Sequence, residues 1–197
     1  MEHYFSKNPV SEPKENIVRY KLNNLELSFF TSSSVFSKRQ IDKGTALLIK
    51  ACRINIGAKV LDIGCGYGVV GISVSRLYPR TQVTMSDINE RAIALAKKNS
   101  VINKADVNII SSDMFENIHE SFNVILSNPP QSAGKKLCFE LIVQSFLHLE
   151  NGGSLQLVAR NQKGGKELSK KMMEIFGNNL TIARKSGYHI YYSVKSL

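Results

Sequence analysis

Two short segments of this 197-residue chain carry the residue types and spacing best suited to chemistry: Asp62-Ile63-Gly64-Cys65-Gly66-Tyr67-Gly68 and Asn128-Pro129-Pro130. Each follows an apolar run that reads as a buried strand, and α/β sheets bind ligands at the carboxyl ends of their strands. Glycines there let the backbone pass close to a ligand. The spacing is Gly64-x-Gly66-x-Gly68 with a further Gly71, and Val69 stands where a pyrophosphate-binding turn has its third glycine. Asp62, two residues before the first glycine, is placed to meet a cationic ligand group. Asp87, 23 residues after Gly64, ends the next apolar run and suits a pair of ribose hydroxyls. Asp113, in Ser111-Ser112-Asp113-Met114-Phe115, ends a third run and suits an adenine amino group, with Met114 beside the ring. Any one aspartate can instead cap the helix that follows it. Three of them at successive strand ends point to an adenosyl ligand without a diphosphate.

The elements that must position these residues are legible from hydrophobic period. Strands are expected at 60–63, 82–86, 107–111, 122–127, 154–160, 180–185 and 188–194. Helices are expected from Ile41 to Cys52 with Asp42 capping the start, and at 69–78, 90–103, 136–149 and 166–176. Near-continuous apolar strands alternating with helices require an α/β, Rossmann-like, doubly wound and mostly parallel seven-stranded sheet. Only Ser186-Gly187 separates the last two strands, a link that permits only an antiparallel hairpin and so places one reversed strand in the sheet. Ahead of this core, 17–22 and 25–30 alternate across Asn23-Asn24 and predict a small β-hairpin, preceded by a polar leader over 1–14 and followed by a serine-rich loop over 31–37. The expected organisation is therefore 1–30, leader and appended hairpin, and 31–197, the chemical domain.

Pro129 and Pro130 cannot continue a strand and stiffen the turn, so Asn128 is held at the sheet edge beside the pocket. With these motifs together the chain resembles class I S-adenosylmethionine-dependent methyltransferases that act on planar exocyclic nitrogens through an Asn/Asp-Pro-Pro motif. Within them it is most similar to the catalytic domain of the ribosomal RNA guanine-N2 methyltransferases and to their single-domain archaeal relatives. The stretches Val35-Phe36-Ser37 and Asp42-Lys43-Gly44-Thr45 also look like that family's. The resemblance spans about 31–194. It implies a catalytic turn of Asn128, Pro129 and Pro130. It implies a cofactor set of Thr45, Asp62, Gly64, Cys65, Gly66, Gly68, Asp87, Ile88, Asp113, Met114 and Asn128. Gln131 departs from the pattern, which often has an aromatic there to stack on the target base. Tyr67, Phe36 or a tyrosine of 188–192 are substitutes for that face, with buried packing as their alternative role.

The charge of +10 is concentrated after Pro130, where 10 basic residues face 4 acidic ones. A basic face attracts phosphate backbones, so RNA, ribosomal in the family's pattern, is the expected partner. No run approaches the roughly 18 apolar residues of a membrane span, and nothing in the N-terminus suits export, so a cytoplasmic location is expected. Cys52, Cys65 and Cys138 form no close pair and are expected to be reduced packing residues, while the four histidines are scattered, so neither a metal nor a histidine base is expected. Rival readings are the same chemistry on transfer RNA, adenine N6 or protein glutamine, and an inactive cofactor-binding partner subunit. A nicotinamide-dependent oxidoreductase is disfavoured by Val69 and Asp62.

Overall fold

The computed structural model describes residues 15–32, 40–130 and 134–196. The leader over 1–14, Val35-Phe36-Ser37 and Gln131 lie outside the described residues. In chain order the elements are β1 (Glu15–Leu22), β2 (Leu25–Ser32), α1 (Lys43–Ala51), β3 (Lys59–Ile63), α2 (Val69–Leu77), β4 (Gln82–Asp87) and α3 (Glu90–Ile102). There follow β5 (Asn108–Ser111), β6 (Phe122–Ser127), α4 (Lys135–Leu147), β7 (Leu149–Arg160), α5 (Lys166–Phe176), β8 (Leu180–Lys185) and β9 (Tyr188–Val194).

Strands β3 to β9 form one seven-stranded sheet in the order β5-β4-β3-β6-β7-β9-β8. Only β9 is reversed, pairing antiparallel with both β7 and β8. The expected sheet and its single antiparallel strand are both present. Neighbouring strand residues point to opposite faces, and both faces are covered. Val60, Val124 and Leu126 join one core with α1, α2 and α3. Leu61 and Ile125 join the other with α4 and α5. This three-layer burial is why the strands read as unbroken apolar runs. Chain order reverses across β3 and β6, and the crevice above this switch point is where the glycine-rich turn and Asn128 emerge.

Strand β7 begins at Leu149, earlier than the expected Ser154, because Leu149 already pairs with Phe122 before a register shift. Helix α4 ends correspondingly early, at Leu147. The β1–β2 hairpin forms its own two-stranded sheet, with Asn23 at a φ of 54° in the turn. It docks on α3 through an unusual device. The Asn103 amide donates to the Ser28 carbonyl (2.7 Å) and accepts from the Ser28 N–H (3.0 Å). Asn99 does the same for Phe30, at 2.9 and 2.7 Å. The two side chains thus satisfy backbone groups of β2 as a neighbouring strand would. Asn99 also donates to the Tyr67 carbonyl at 2.8 Å, which ties the hairpin to the glycine-rich turn.

Candidate active site

The segment after β3 turns sharply because Gly64, Gly66 and Gly68 take φ values of 71°, 56° and 94°, which side-chain-bearing residues avoid. The turn is pinned to β4 by Gly64 N–H and Cys65 N–H, both donating to the Ser86 carbonyl at 2.9 Å. A Cβ on Gly64 or Gly66 would meet nothing within 4 Å, so both backbones face open space. That space is a cavity of about 270 Å³, just under the lower end of the range for small-ligand pockets.

Asp62 is buried at 2% exposure and lines the cavity. Its Oδ2 accepts from the Gly71 N–H at 2.8 Å. Helix α2 starts at Gly68, which has no side chain to cap it, and Asp62 supplies that cap from the neighbouring strand. Burial pushes the Asp62 carboxyl up to about 7, partly offset by the Gly71 N–H and reinforced by the charge of Asp87. A cation beside it would favour the ionised form. Gly71 is required for this approach, since a Cβ there would run into Met85.

Asp87 faces the same cavity. Its Oδ2 accepts from the Gly66 N–H (2.8 Å) and its Oδ1 from the Asn89 N–H (2.9 Å). Burial raises its pKa above the ordinary carboxylate value. Capping of α3 falls to Asn89, whose side chain accepts from the Arg91 and Ala92 N–H groups. Each Asp87 oxygen retains a lone pair for a ligand hydroxyl. Ile88 lines the wall beside it. Asp113 stands exposed at the rim, and Met114 next to it holds a left-handed φ of 49°, stabilised by the Ser112 hydroxyl donating to its carbonyl at 3.0 Å. Ser86 Oγ, also in the wall, is buried with no hydrogen-bond partner among the described residues. A wall of bare glycine backbone, buried carboxylates and an unpaired hydroxyl fits an adenosyl group.

At the end of β6, Ser127 Oγ donates to the Ile63 carbonyl at 3.1 Å, holding the β3 and β6 ends together. Asn128 and Pro130 line the cavity, and Pro129 is buried behind them. Asn128 Nδ2 donates to Thr45 Oγ1 (2.9 Å) and Asp42 Oδ2 (3.3 Å). Its Oδ1 has no partner among the described residues and is free to accept. Thr45, expected at the cofactor, is thus engaged with Asn128 in the same wall. Cys65 is in the wall too, its thiol pushed well above the ordinary value by burial and the two carboxylates. Gly68 and Pro129 are the two expected site residues outside the lining. Gly68 shapes the helix start, where a Cβ would meet Ile72 at 2.9 Å.

The family model for the methyltransferase small domain matches residues 26–192. The chain belongs to this family. The methyltransferase is 34% identical over 193 residues to the Bacillus subtilis protein YbxB, covering 96% of each chain. It is 33% identical to the Pasteurella multocida ribosomal RNA small subunit methyltransferase C over 84% of this chain. It spans about half the length of that relative, 51%. Its fold matches the Thermus thermophilus 16S rRNA N2 G1207 methyltransferase, solved with AdoMet and guanosine, at a TM-score of 0.84 and 21% identity. That match covers 95% of the methyltransferase and 52% of the Thermus chain.

Sequence reasoning gave Asp42 only the role of helix cap and missed its contact with Asn128. It gave Tyr188 only a stacking or packing role, whereas the Tyr188 hydroxyl donates to Asp42 Oδ1 at 3.0 Å. Of the candidate stacking residues, Phe36 is outside the described residues. Tyr67 is 4% exposed and packs edge-on against Phe29. Tyr191 is buried with its hydroxyl on Asn161. Packing accounts for Tyr191, while Tyr67 packs on Phe29 and also lines the cavity.

Proposed function

We propose that this methyltransferase moves a methyl group from S-adenosylmethionine to an exocyclic nitrogen of a base in RNA, most specifically guanine N2 of ribosomal RNA, in the cytoplasm. The single observation that carries this reading is the Asn128 amide at the cavity wall, held through its nitrogen, with its oxygen unpartnered among the described residues. When bound, S-adenosylmethionine supplies a methyl on a sulfonium that leaves as a neutral thioether. An exocyclic amine has its lone pair drawn into the ring. Asn128 Oδ1, accepting from the amine, turns that lone pair toward the methyl carbon and stabilises the positive charge that develops on nitrogen. The chemistry the cofactor would supply is an in-line displacement, nitrogen–carbon bond for carbon–sulfur bond with the amine's proton lost to water, and the chain's part would be to hold the amine at Asn128 Oδ1. With glutamine at 131, apolar contact with the base falls to Pro130 and Leu137, both in the wall. On the cofactor side, Asp87 takes the ribose hydroxyls, Asp113 and Met114 the adenine, and Asp62 with the Gly64–Gly66 backbone the methionine end.

The RNA reading is supported by where the basic residues fall. Arg160, Lys163, Lys166, Arg184 and Lys185 are all exposed and end or follow β7 or flank the β8–β9 turn. Arg160 and Lys185 both pair in register with Tyr188, at the sheet edge that holds the site. Such an edge attracts a phosphate backbone, with affinity that falls as salt rises. None of the helices among the described residues is long and apolar enough to cross a membrane. With labelled S-adenosylmethionine and a cell extract as acceptor, the incorporated label should be released by ribonuclease and resist protease. Label that resists ribonuclease and is released by protease would instead favour a glutamine acceptor.

A further inference from the structure

We infer that Asp42 and Tyr188 are positioning residues that set which way the Asn128 amide faces, and hence whether an oxygen is offered to the methyl acceptor. The inference rests on the reading of Asn128 as the group that orients the acceptor amine. A primary amide is nearly symmetric in shape and opposite in function at its two ends, since its oxygen accepts and its NH₂ donates. Thr45 cannot choose between them, because a hydroxyl both donates and accepts. Asp42 can, because a carboxylate only accepts. With Asp42 Oδ2 at 3.3 Å, the end of Asn128 that meets it must be the NH₂. Turning the amide over would set an oxygen against a carboxylate oxygen and lose the donated bond. An N–H drawn toward a carboxylate also polarises the amide, leaving Oδ1 a better acceptor.

The carboxylate is in turn fixed from all sides. Its Oδ2 accepts from Gly44 N–H (2.8 Å) and Thr45 N–H (3.0 Å) at the start of α1. Its Oδ1 accepts from the Tyr188 hydroxyl (3.0 Å), 146 residues away on β9. Tyr188 is buried against the helix start, where a Cβ on Gly44 would lie 2.7 Å from its ring. The Arg160 guanidinium covers the ring at 4.9 Å. Gly44 therefore serves close packing, and the helix cap doubles as a rotational lock on the residue facing the acceptor.

Asp42→Ser separates the two roles, because serine caps a helix about as well as aspartate but is too short to reach Asn128 and Tyr188 together. With ribosomal RNA as acceptor, Asp42→Ser should lower kcat about tenfold or more. S-adenosylmethionine affinity by calorimetry and the Tm should stay close to those of the unsubstituted protein. Asp42→Asn, which keeps an acceptor oxygen toward Asn128, should recover most of the loss, and Tyr188→Phe should lower kcat by a few-fold. In the Asn128→Ala background Asp42→Ser should cost nothing more, since both act through one group. A full, independent loss in that background overturns the inference. A second readout needs no acceptor: the Asn128 side-chain amide signals in a ¹⁵N–¹H spectrum should shift and exchange faster with water in Asp42→Ser. Unmoved signals overturn the inference. Should Asn128→Ala itself leave turnover intact, the reading of Asn128 fails, and the amide signals still decide whether Asp42 orients it.

Discussion

Asn128→Ala is expected to lower turnover by about 100-fold or more while leaving S-adenosylmethionine affinity nearly unchanged. The reason is where charge appears. In the ground state an exocyclic amine is neutral, and a hydrogen bond to Oδ1 adds little beyond orientation. In the transition state the nitrogen carries positive charge, and the acceptor is already in place, so its contribution falls on kcat. The proposed cofactor carboxylates do not need this side chain for their placement, because the buried Asp62 and Asp87 are held by backbone N–H groups of Gly71, Gly66 and Asn89. Single-turnover methyl transfer, with calorimetry of cofactor binding, checks both halves. Turnover left untouched, or cofactor affinity lost instead, would reduce the double proline to a strand terminator.

Asp87→Ala is expected to do the reverse, weakening S-adenosylmethionine binding by about 1 to 3 kcal/mol, the range for hydrogen bonds to a charged group. That is roughly five- to 150-fold in affinity. The substitution removes the acceptor proposed for the ribose and also frees the Gly66 N–H that Asp87 Oδ2 holds. Asp62 adds a pH signature to the same titration. Its carboxyl is pushed up to about 7 by burial, so a cationic ligand end must favour the deprotonated form and release the proton on binding. Affinity should therefore rise as pH increases through about 7 and fall on acidification. Unchanged affinity in Asp87→Ala, measured by calorimetry, would remove that carboxylate from the ribose.

Much of this site was legible because local chemistry fixed it. Val60-Leu61 and Val124-Ile125-Leu126 are buried on both faces of the sheet, so their strands show as plain apolar runs, and the residues just past each strand must face the ligand edge. The glycine pattern and the aspartates were readable for the same reason, since Asp62 and Asp87 lie in the last two positions of β3 and β4, and the glycines and Asp113 closely follow a strand. The helix-cap reading of Asp62 also proved part of the truth, because Gly68 leaves α2 without a cap of its own. The illegible part is long-range. Asp42 reads as an ordinary N-cap, and nothing local reveals that its two oxygens meet residues 86 and 146 positions away. Asn99 and Asn103 likewise look like poor helix residues, and only the docked hairpin explains them as backbone mimics. The start of β7 was misjudged because Leu149 pairs before a register shift that hydrophobic period does not reveal.

The reading of this chain as a methyltransferase for exocyclic base nitrogens is tested most directly by mass spectrometry of nucleosides from ribosomal RNA incubated with the protein and S-adenosylmethionine. The expected product is N2-methylguanosine, formed by the unsubstituted protein and reduced to near background by Asn128→Ala. Methyl groups found on a ring nitrogen, a base carbon or a ribose oxygen would contradict it, because none of these is the exocyclic amino group whose N–H Asn128 Oδ1 is proposed to accept.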